Sequence, residues 1–253
     1  MKDVVANIKW FVVDDVPNMF VNKVLGIVRD FIEKVDSIEY LEIYFYGSSH
    51  QKLLFMESEA LELGVIAVGD FITMYEAWRG WPRIHIDYEK CHRLGDNYLK
   101  SVIVHEVSHA ILHGSPIYYS VVLQASDIPR LDLDDVAKLV YVATTVVKDM
   151  DVYEFLIGGG MGNLVDGYAD FIAEQYKDLG CENMDDMLNL AKALAVCIYV
   201  SSCRLLKTID KKCVDIANGI LEMFKKFKET RTKNLSEDTR LLMKSLWSVV
   251  KGR

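Results

Sequence analysis

Between Ser101 and Leu112 the chain carries one charged side chain, Glu106, in a stretch that is otherwise aliphatic, small or histidine. The segment is SVIVHEVSHAIL, and its hydrophobic residues leave no polar face. A helix exposed to solvent carries a polar face, so this pattern predicts a helix that is buried over most of its surface. Polar groups removed from water need partners. Any fold of this chain must therefore supply partners for two histidines and a glutamate in its interior.

The two histidines are His105 and His109, four residues apart. Successive residues of an α-helix turn by about 100°, so the two imidazoles project from one face about 40° apart and one turn apart in height. Imidazoles in this position can share one zinc ion at about 2.0–2.1 Å. Glu106 is then placed as a general base for a zinc-activated water. The competing interpretation is a metal-free helical scaffold in which the three side chains are satisfied within the core.

A catalytic zinc site needs a third protein ligand, and several acids are available. Asp149 and Glu154 fall near the edges of the apolar stripe of a helix predicted at 133–157, whereas Asp151 points largely away from it. A carboxylate at the edge of a buried stripe needs a charge partner, which zinc would supply. Asp166 lies near the start of the next predicted helix, where an acid also suits the helix dipole. We favour Asp149 and keep Asp166 as the alternative third ligand.

The rest of the chain divides into an N-terminal part with both helices and strands and a C-terminal part that is mostly helical. Helices are predicted at 17–34, 51–63, 97–113, 133–157, 163–177, 184–203, 210–228 and 236–250. Strands are predicted at 38–46, at 65–75 with an interruption at Gly69-Asp70, and at 83–87. This order predicts an α+β fold with a small N-terminal mixed sheet, followed by the helix that carries the histidines and a mostly helical C-terminal body. We place one domain at 1–178 and a helical C-terminal extension, packed on it, at 179–253.

The segment His105-Glu106-Val-Ser-His109 resembles the extended signature of the zincin metallopeptidases, with aliphatic residues before it, uncharged residues within it and a hydrophobic residue after it. The resemblance covers about residues 38–175. It implies a zincin-like fold, a bound Zn²⁺ and peptidase activity on a peptide or protein substrate. The metzincin branch is excluded, because Leu112 and Pro116 stand where that branch has a glycine and a third histidine.

The same resemblance implies a substrate-binding strand shortly before the active-site helix. Members of the superfamily usually have such a strand at the edge of the sheet, where an extended substrate pairs with it through backbone hydrogen bonds. The matching residues are Arg83, Ile84, His85, Ile86 and Asp87. We therefore expect this strand to be the substrate edge.

Two branches of the superfamily suggest the third ligand. In a prokaryotic metallopeptidase family with an aspartate on a helix after HExxH, Asp149 matches the aspartate, and Val147 and Tyr153 replace the family's alanine and asparagine. Residues 165–170 of this chain resemble the E-x-x-x-D helix of gluzincins. Asp166 stands in place of the zinc-binding glutamate of that helix. Asp170 would then orient a ligand histidine by accepting a hydrogen bond from its other ring nitrogen. His113 is expected to cap the helix or make a buried hydrogen bond.

The composition bears on the protein's partners and on its cellular compartment. A net charge of -8 argues against a nucleic-acid partner. The five cysteines are odd in number and form no C-x-x-C pair, so we expect no disulfide framework and a reducing compartment. The apolar stretch between Lys192 and Arg204 has eleven residues, whereas a membrane span needs about twenty. Asp3, Asp14 and Asp15 argue against a signal peptide.

Together these patterns predict a cytoplasmic, zinc-dependent metallohydrolase, and specifically a peptidase, with no nucleic-acid or membrane partner. Glu106 would be its general base, and His105, His109 and an aspartate would hold the zinc. The alternative is a non-catalytic zinc-binding interaction protein on a degenerate peptidase fold.

Overall fold

A computed structural model describes residues 7–35, 38–65, 71–124, 131–177 and 179–251. Within these residues the protein is α+β, with a four-stranded mixed sheet near the N-terminus and helices through the rest of the chain. The predicted α+β class is thus confirmed. No helix in these ranges combines the length and apolar character needed to cross a membrane.

The chain forms two compact units, Met1–Tyr119 and Ser120–Arg253. In chain order, the first unit contains β1 (Asn7–Val13), α1 (Asn18–Val35), β2 (Tyr40–Tyr46), α2 (Ser49–Leu63), β3 (Thr73–Glu76), β4 (Arg83–Asp87), α3 (Tyr88–Cys91), α4 (Asp96–His113) and a 3-10 turn at Pro116–Tyr119. Helix α2 begins after Ser48, whose side chain accepts the N–H of Gln51, and ends at Gly64, where φ is 66°.

The four described strands lie in the order β1, β2, β4, β3. Strand β2 is parallel to both β1 and β4, and β3 is antiparallel to β4. Strand β4 therefore has partners on both sides, and all five of its residues are buried. The prediction that 83–87 is an edge strand is wrong, because its backbone groups are already paired. Among the described strands, the edges are β1 and β3.

The two faces of this sheet differ in polarity. Ile43 of β2 lies opposite Ile84 of β4 and contributes to an apolar face. Thr73 and Tyr75 of β3 lie opposite Ile86 and Ile84, so they share that face, and both hydrogen-bond to α4. The face therefore places the edge strand β3 against the helix that carries the histidines.

The second unit is helical. It contains α5 (Leu133–Gly158), α6 (Gly162–Gln175), α7 (Met184–Leu194), α8 (Val214–Thr230) and α9 (Leu235–Lys251), with 3-10 turns at Ala195–Ile198, Arg204–Lys207 and Lys211–Cys213. Helix α5 packs along α7 and α9. The division between units falls after residue 119 and not after 178 as predicted, because α5 and α6 pack with the C-terminal helices.

Two disulfides lie in this helical unit. Cys181 and Cys213 are joined at 2.04 Å across a sequence separation of 32, and Cys197 is joined to Cys203. Cys91 is the free cysteine and is buried. The expectation of no disulfides is therefore wrong. Sequence spacing did not reveal these pairs, because the packing of α7, α8 and the turns between them brings the partners together.

Candidate metal centre

Helix α4 carries the three residues of the HExxH motif, and all three are buried. Every residue from Ser101 to Ala110 is buried, as the uncharged pattern predicted. The helix ends at His113, where a Cβ on Gly114 would come within 2.5 Å of the carbonyl oxygen of Ala110. A side chain at position 114 would therefore clash with the last turn of the helix, and glycine avoids this clash.

The imidazoles of His105 and His109 face each other. Their Nε2 atoms are 3.1 Å apart and their rings are nearly perpendicular, at 85°. Two nitrogens bound at about 2.0–2.1 Å to one tetrahedral zinc are separated by about 3.3 Å. Both side chains are buried, at 3% and 7% exposed. The pair therefore has nearly the separation required of two ligands of one ion.

Asp149, on α5, completes a possible ligand set. One ligand atom from each of His105, His109 and Asp149 lies within 4.8 Å of the other two, and all three residues are buried. Two imidazole nitrogens and one carboxylate oxygen are a common donor set for zinc that retains an open fourth position. The donor chemistry and the spacing of the three residues fit a zinc ion.

Two lysines of the helical unit, Lys148 and Lys192, interact electrostatically with Asp149. Burial lowers the pKa of Lys148 to about 8, and the negative charge of Asp149 partly offsets this effect. Burial also opposes the charged form of Lys192, but attraction to Tyr141, Tyr176 and Asp149 raises its pKa above the ordinary value. The Asp149 carboxylate therefore interacts electrostatically with both lysines.

The other acids considered as ligands have different surroundings. Asp151 and Glu154 both pair with the buried guanidinium of Arg231. Burial opposes ionisation of Glu154, but hydrogen bonds from Lys233 and Tyr199 outweigh it and lower its pKa.

Asp166 is exposed on α6, and Asp170 is half-buried on the same helix. Neither belongs to the group of possible metal ligands found among the described residues.

Glu106 lies beside the two histidines on α4 and is 8% exposed. The hydroxyl of Thr73, on β3, donates a hydrogen bond of 2.8 Å to its Oε1. Sequence reasoning missed Thr73, because its proximity to Glu106 depends on the pairing of β3 with β4 and carries no local signal. The contact orients the predicted general base.

His113 is buried, and its Nδ1 lies 3.1 Å from the Nδ1 of His109. This agrees with the buried hydrogen-bonding role expected for it. The ring of Tyr75 stacks on His109, with centroids 5.7 Å apart, and its hydroxyl donates to the carbonyl oxygen of His113. Tyr75 was also missed from sequence, for the same reason as its neighbour on β3.

The polar residues of β4 form a buried layer beneath α2. Arg83 pairs with Glu59 and Glu76, and Asp87 accepts from Lys52 at 2.8 Å.

His85 lies between the hydroxyl of Tyr46 at 2.8 Å and the carboxylate of Glu76 at 3.0 Å. Burial lowers the pKa of His85, although Glu76 opposes the shift. The side chains of the predicted substrate strand thus lie inside the unit, where they bind neighbouring elements of the fold.

No family model, curated protein or solved structure matches the chain. The functional argument therefore rests on the geometry of the residues themselves.

Proposed function

We propose that the protein is a zinc-dependent metallohydrolase, and specifically a peptidase of the zincin type, with His105, His109 and Asp149 as its zinc ligands. The observation that carries this proposal is the grouping of the three ligand atoms within 4.8 Å of one another, on residues that are all buried. Glu106 lies directly after the first of these ligands on the same helix.

Zinc held by this set would acidify a bound water to a pKa of about 7 and polarise a carbonyl group. The remaining steps belong to the side chains. Glu106 accepts a proton from the attacking water and passes it to the departing amine. The hydroxyl of Thr73 holds the Glu106 carboxylate in place through one oxygen. Burial of the site strengthens each of these electrostatic interactions.

The substrate class in this proposal is an extended peptide or a protein segment. Because β4 has partners on both sides, the pairing edge moves from 83–87 to β3 (Thr73–Glu76), which pairs only with β4 among the described strands. An extended peptide added at an exposed strand edge is held by main-chain hydrogen bonds. Strand β3 also supplies Thr73, whose contact with Glu106 supports the choice of β3 as the substrate edge.

We keep the cytoplasmic location in the proposal only for a cytosol in which disulfides persist. Disulfides are rare in a reducing cytosol, and intracellular proteins of hyperthermophiles are the main exception. Cys181–Cys213 and Cys197–Cys203 therefore require a compartment in which these pairs stay oxidised.

Zinc content per chain tests the proposal. We compare the wild type with Asp149→Asn and with the matched control Asp166→Asn, which changes an exposed acid. Each protein is offered zinc, freed of excess and measured by elemental analysis. We expect one zinc per chain in the wild type and the control, and loss of zinc in Asp149→Asn. A wild type that retains no zinc would favour the metal-free scaffold.

A non-catalytic zinc-binding protein is the second candidate. The hydrogen bond from Thr73 favours it, because this contact satisfies the Glu106 carboxylate without requiring a catalytic role. The two candidates differ in one measurable property: the peptidase cleaves a synthetic peptide library in a manner that depends on Glu106, and the binding protein leaves the library intact.

A further inference from the structure

A third histidine on α4 is buried next to the proposed ligands. His113 is 1% exposed and lies one turn beyond His109. The two Nδ1 atoms are 3.1 Å apart. The ring of Tyr118 packs edge-on against His113 at 5.0 Å, and Tyr75 holds the backbone carbonyl of the same residue. The ring of His113 is therefore fixed in position opposite His109.

We propose that His113 is a positioning residue: it accepts a hydrogen bond from the Nδ1–H of His109 and so keeps the Nε2 of His109 available for the metal. This inference rests on the proposed zinc site and adds a residue to it.

The direction of the hydrogen bond follows from proton counting. A neutral imidazole carries one ring proton, and only the nitrogen without it can bind a metal. If the Nε2 of His109 binds the ion, its proton lies on Nδ1, at hydrogen-bonding distance from the Nδ1 of His113. His113 must then accept, and its own proton lies on Nε2. Ligand histidines usually donate their second N–H to a carboxylate, a carbonyl or water; here an imidazole takes that role.

The opposite direction would block the site. If His113 donated to the Nδ1 of His109, the proton of His109 would move to its Nε2. That nitrogen faces the Nε2 of His105 at 3.1 Å, so a proton would occupy the space between the two proposed ligands. A proton on the Nδ1 of His113 is thus incompatible with metal binding by the Nε2 of His109.

Three variants of His113 separate positioning from packing. His113→Asn places an amide near the former Nδ1 and keeps an acceptor there. His113→Phe keeps the volume of the ring and removes the acceptor. His113→Gln carries its amide near the former Nε2, and it replaces the Phe variant if that protein fails to fold, as judged by circular dichroism in chelator.

Zinc affinity is measured by competition with a chromophoric chelator. We expect His113→Phe or His113→Gln to bind zinc about 10–100-fold more weakly than the wild type, and His113→Asn to lose less than about tenfold. A packing role predicts the reverse order, because Phe fills the site and Asn leaves a cavity. Affinity that is equal in all variants, or higher in Phe than in Asn, overturns the inference.

Proton positions give a second readout that does not depend on activity. In ¹⁵N-histidine NMR of the zinc-loaded wild type, we expect His109 to carry its proton on Nδ1. A proton on its Nε2 overturns the inference. A wild type that binds no zinc overturns the proposed function together with this inference, whereas equal affinity of the variants overturns this inference alone.

Discussion

The hydroxyl of Thr73 lies 2.8 Å from a carboxylate oxygen of Glu106 and joins the edge strand β3 to helix α4. Glu106 is buried, so its orientation depends on partners such as this one. A hydrogen bond to a charged group contributes about 1.5–3 kcal/mol, which is enough to hold one rotamer of a side chain. The strand and the general base therefore form one structural element of the proposed active site.

Replacement of Thr73 by Val removes the donor and preserves the shape of the side chain. We expect the rate of peptide hydrolysis to fall about tenfold, the equivalent of about 1.4 kcal/mol, because the Glu106 carboxylate loses its orientation. Thr73→Ser keeps a hydroxyl and serves as the matched control, with a rate near that of the wild type. A Thr73→Val protein with an unchanged rate and unchanged zinc content would show that the contact has no catalytic role.

Glu106→Gln tests the general base itself. The amide has the shape of the carboxylate but does not accept a proton, so hydrolysis of a synthetic peptide library should fall by about 10²–10⁴-fold. Zinc content should stay at the wild-type value, because Glu106 is outside the group of three ligands. Cleavage is read by mass spectrometry. Full activity in this variant would contradict the mechanism.

The lowered pKa of His85 predicts how the free energy of unfolding depends on pH. Burial lowers its pKa in the folded protein, so the unfolded chain takes up a proton first, near its ordinary value of about 6.5. The stability linked to His85 is therefore present above about pH 6.5 and is lost as the pH falls below it, by up to about 1.4 kcal/mol per pH unit.

The measurement is urea unfolding in chelator between about pH 7.5 and pH 5. His85→Gln does not titrate in this range, and its amide reaches towards Glu76, the partner of the ring Nε2. We expect the free energy of unfolding to depend less steeply on pH in this variant than in the wild type. Equal slopes would assign the acid sensitivity to other titratable groups.

Local signals explain which parts of the fold were predictable. The helices predicted at 97–113 and 133–157 are observed as α4 (Asp96–His113) and α5 (Leu133–Gly158). Hydrophobic periodicity and turn residues are properties of neighbouring positions, so the sequence displays them directly. The motif on α4 was visible for the same reason.

Pairing between distant segments explains what was not predictable. Strand β4 alternates like an edge strand, but its second partner, β3, is identified only by the folded sheet. The helix predicted at 184–203 ends at Leu194, and Cys197 beyond it pairs with Cys203. The sequence left both Asp149 and Asp166 open as the proposed third ligand, because no spacing rule connects either acid to α4.

The disulfides predict a simple thiol count. In denaturant without reductant, one thiol per chain should react with a chromogenic reagent, because four of the five cysteines are paired and Cys91 is free. After reduction the count should rise to five. Cys91→Ala is the control and should show no thiol before reduction. Five reactive thiols without reductant would show that the pairs are not formed in solution.

Arg231 connects the C-terminal helices to the helix that carries Asp149. Its side chain is 1% exposed and pairs with Asp151, with Glu154 and with the fully buried Asp238. Removal of one member of a buried ionic cluster leaves the other charges uncompensated, which costs about 3–5 kcal/mol. We expect Arg231→Met to lower the free energy of unfolding by about 3 kcal/mol.

The control for this variant is Lys225→Met, which removes an exposed i,i+3 pair with Glu222 and should leave unfolding unchanged. Both proteins are measured by urea unfolding in chelator, so that zinc does not contribute. Because Arg231 also binds the carbonyl oxygen of Val147, two residues before Asp149, its loss should weaken zinc binding as well. An Arg231→Met protein with wild-type stability would show that α5 is held by its apolar contacts alone.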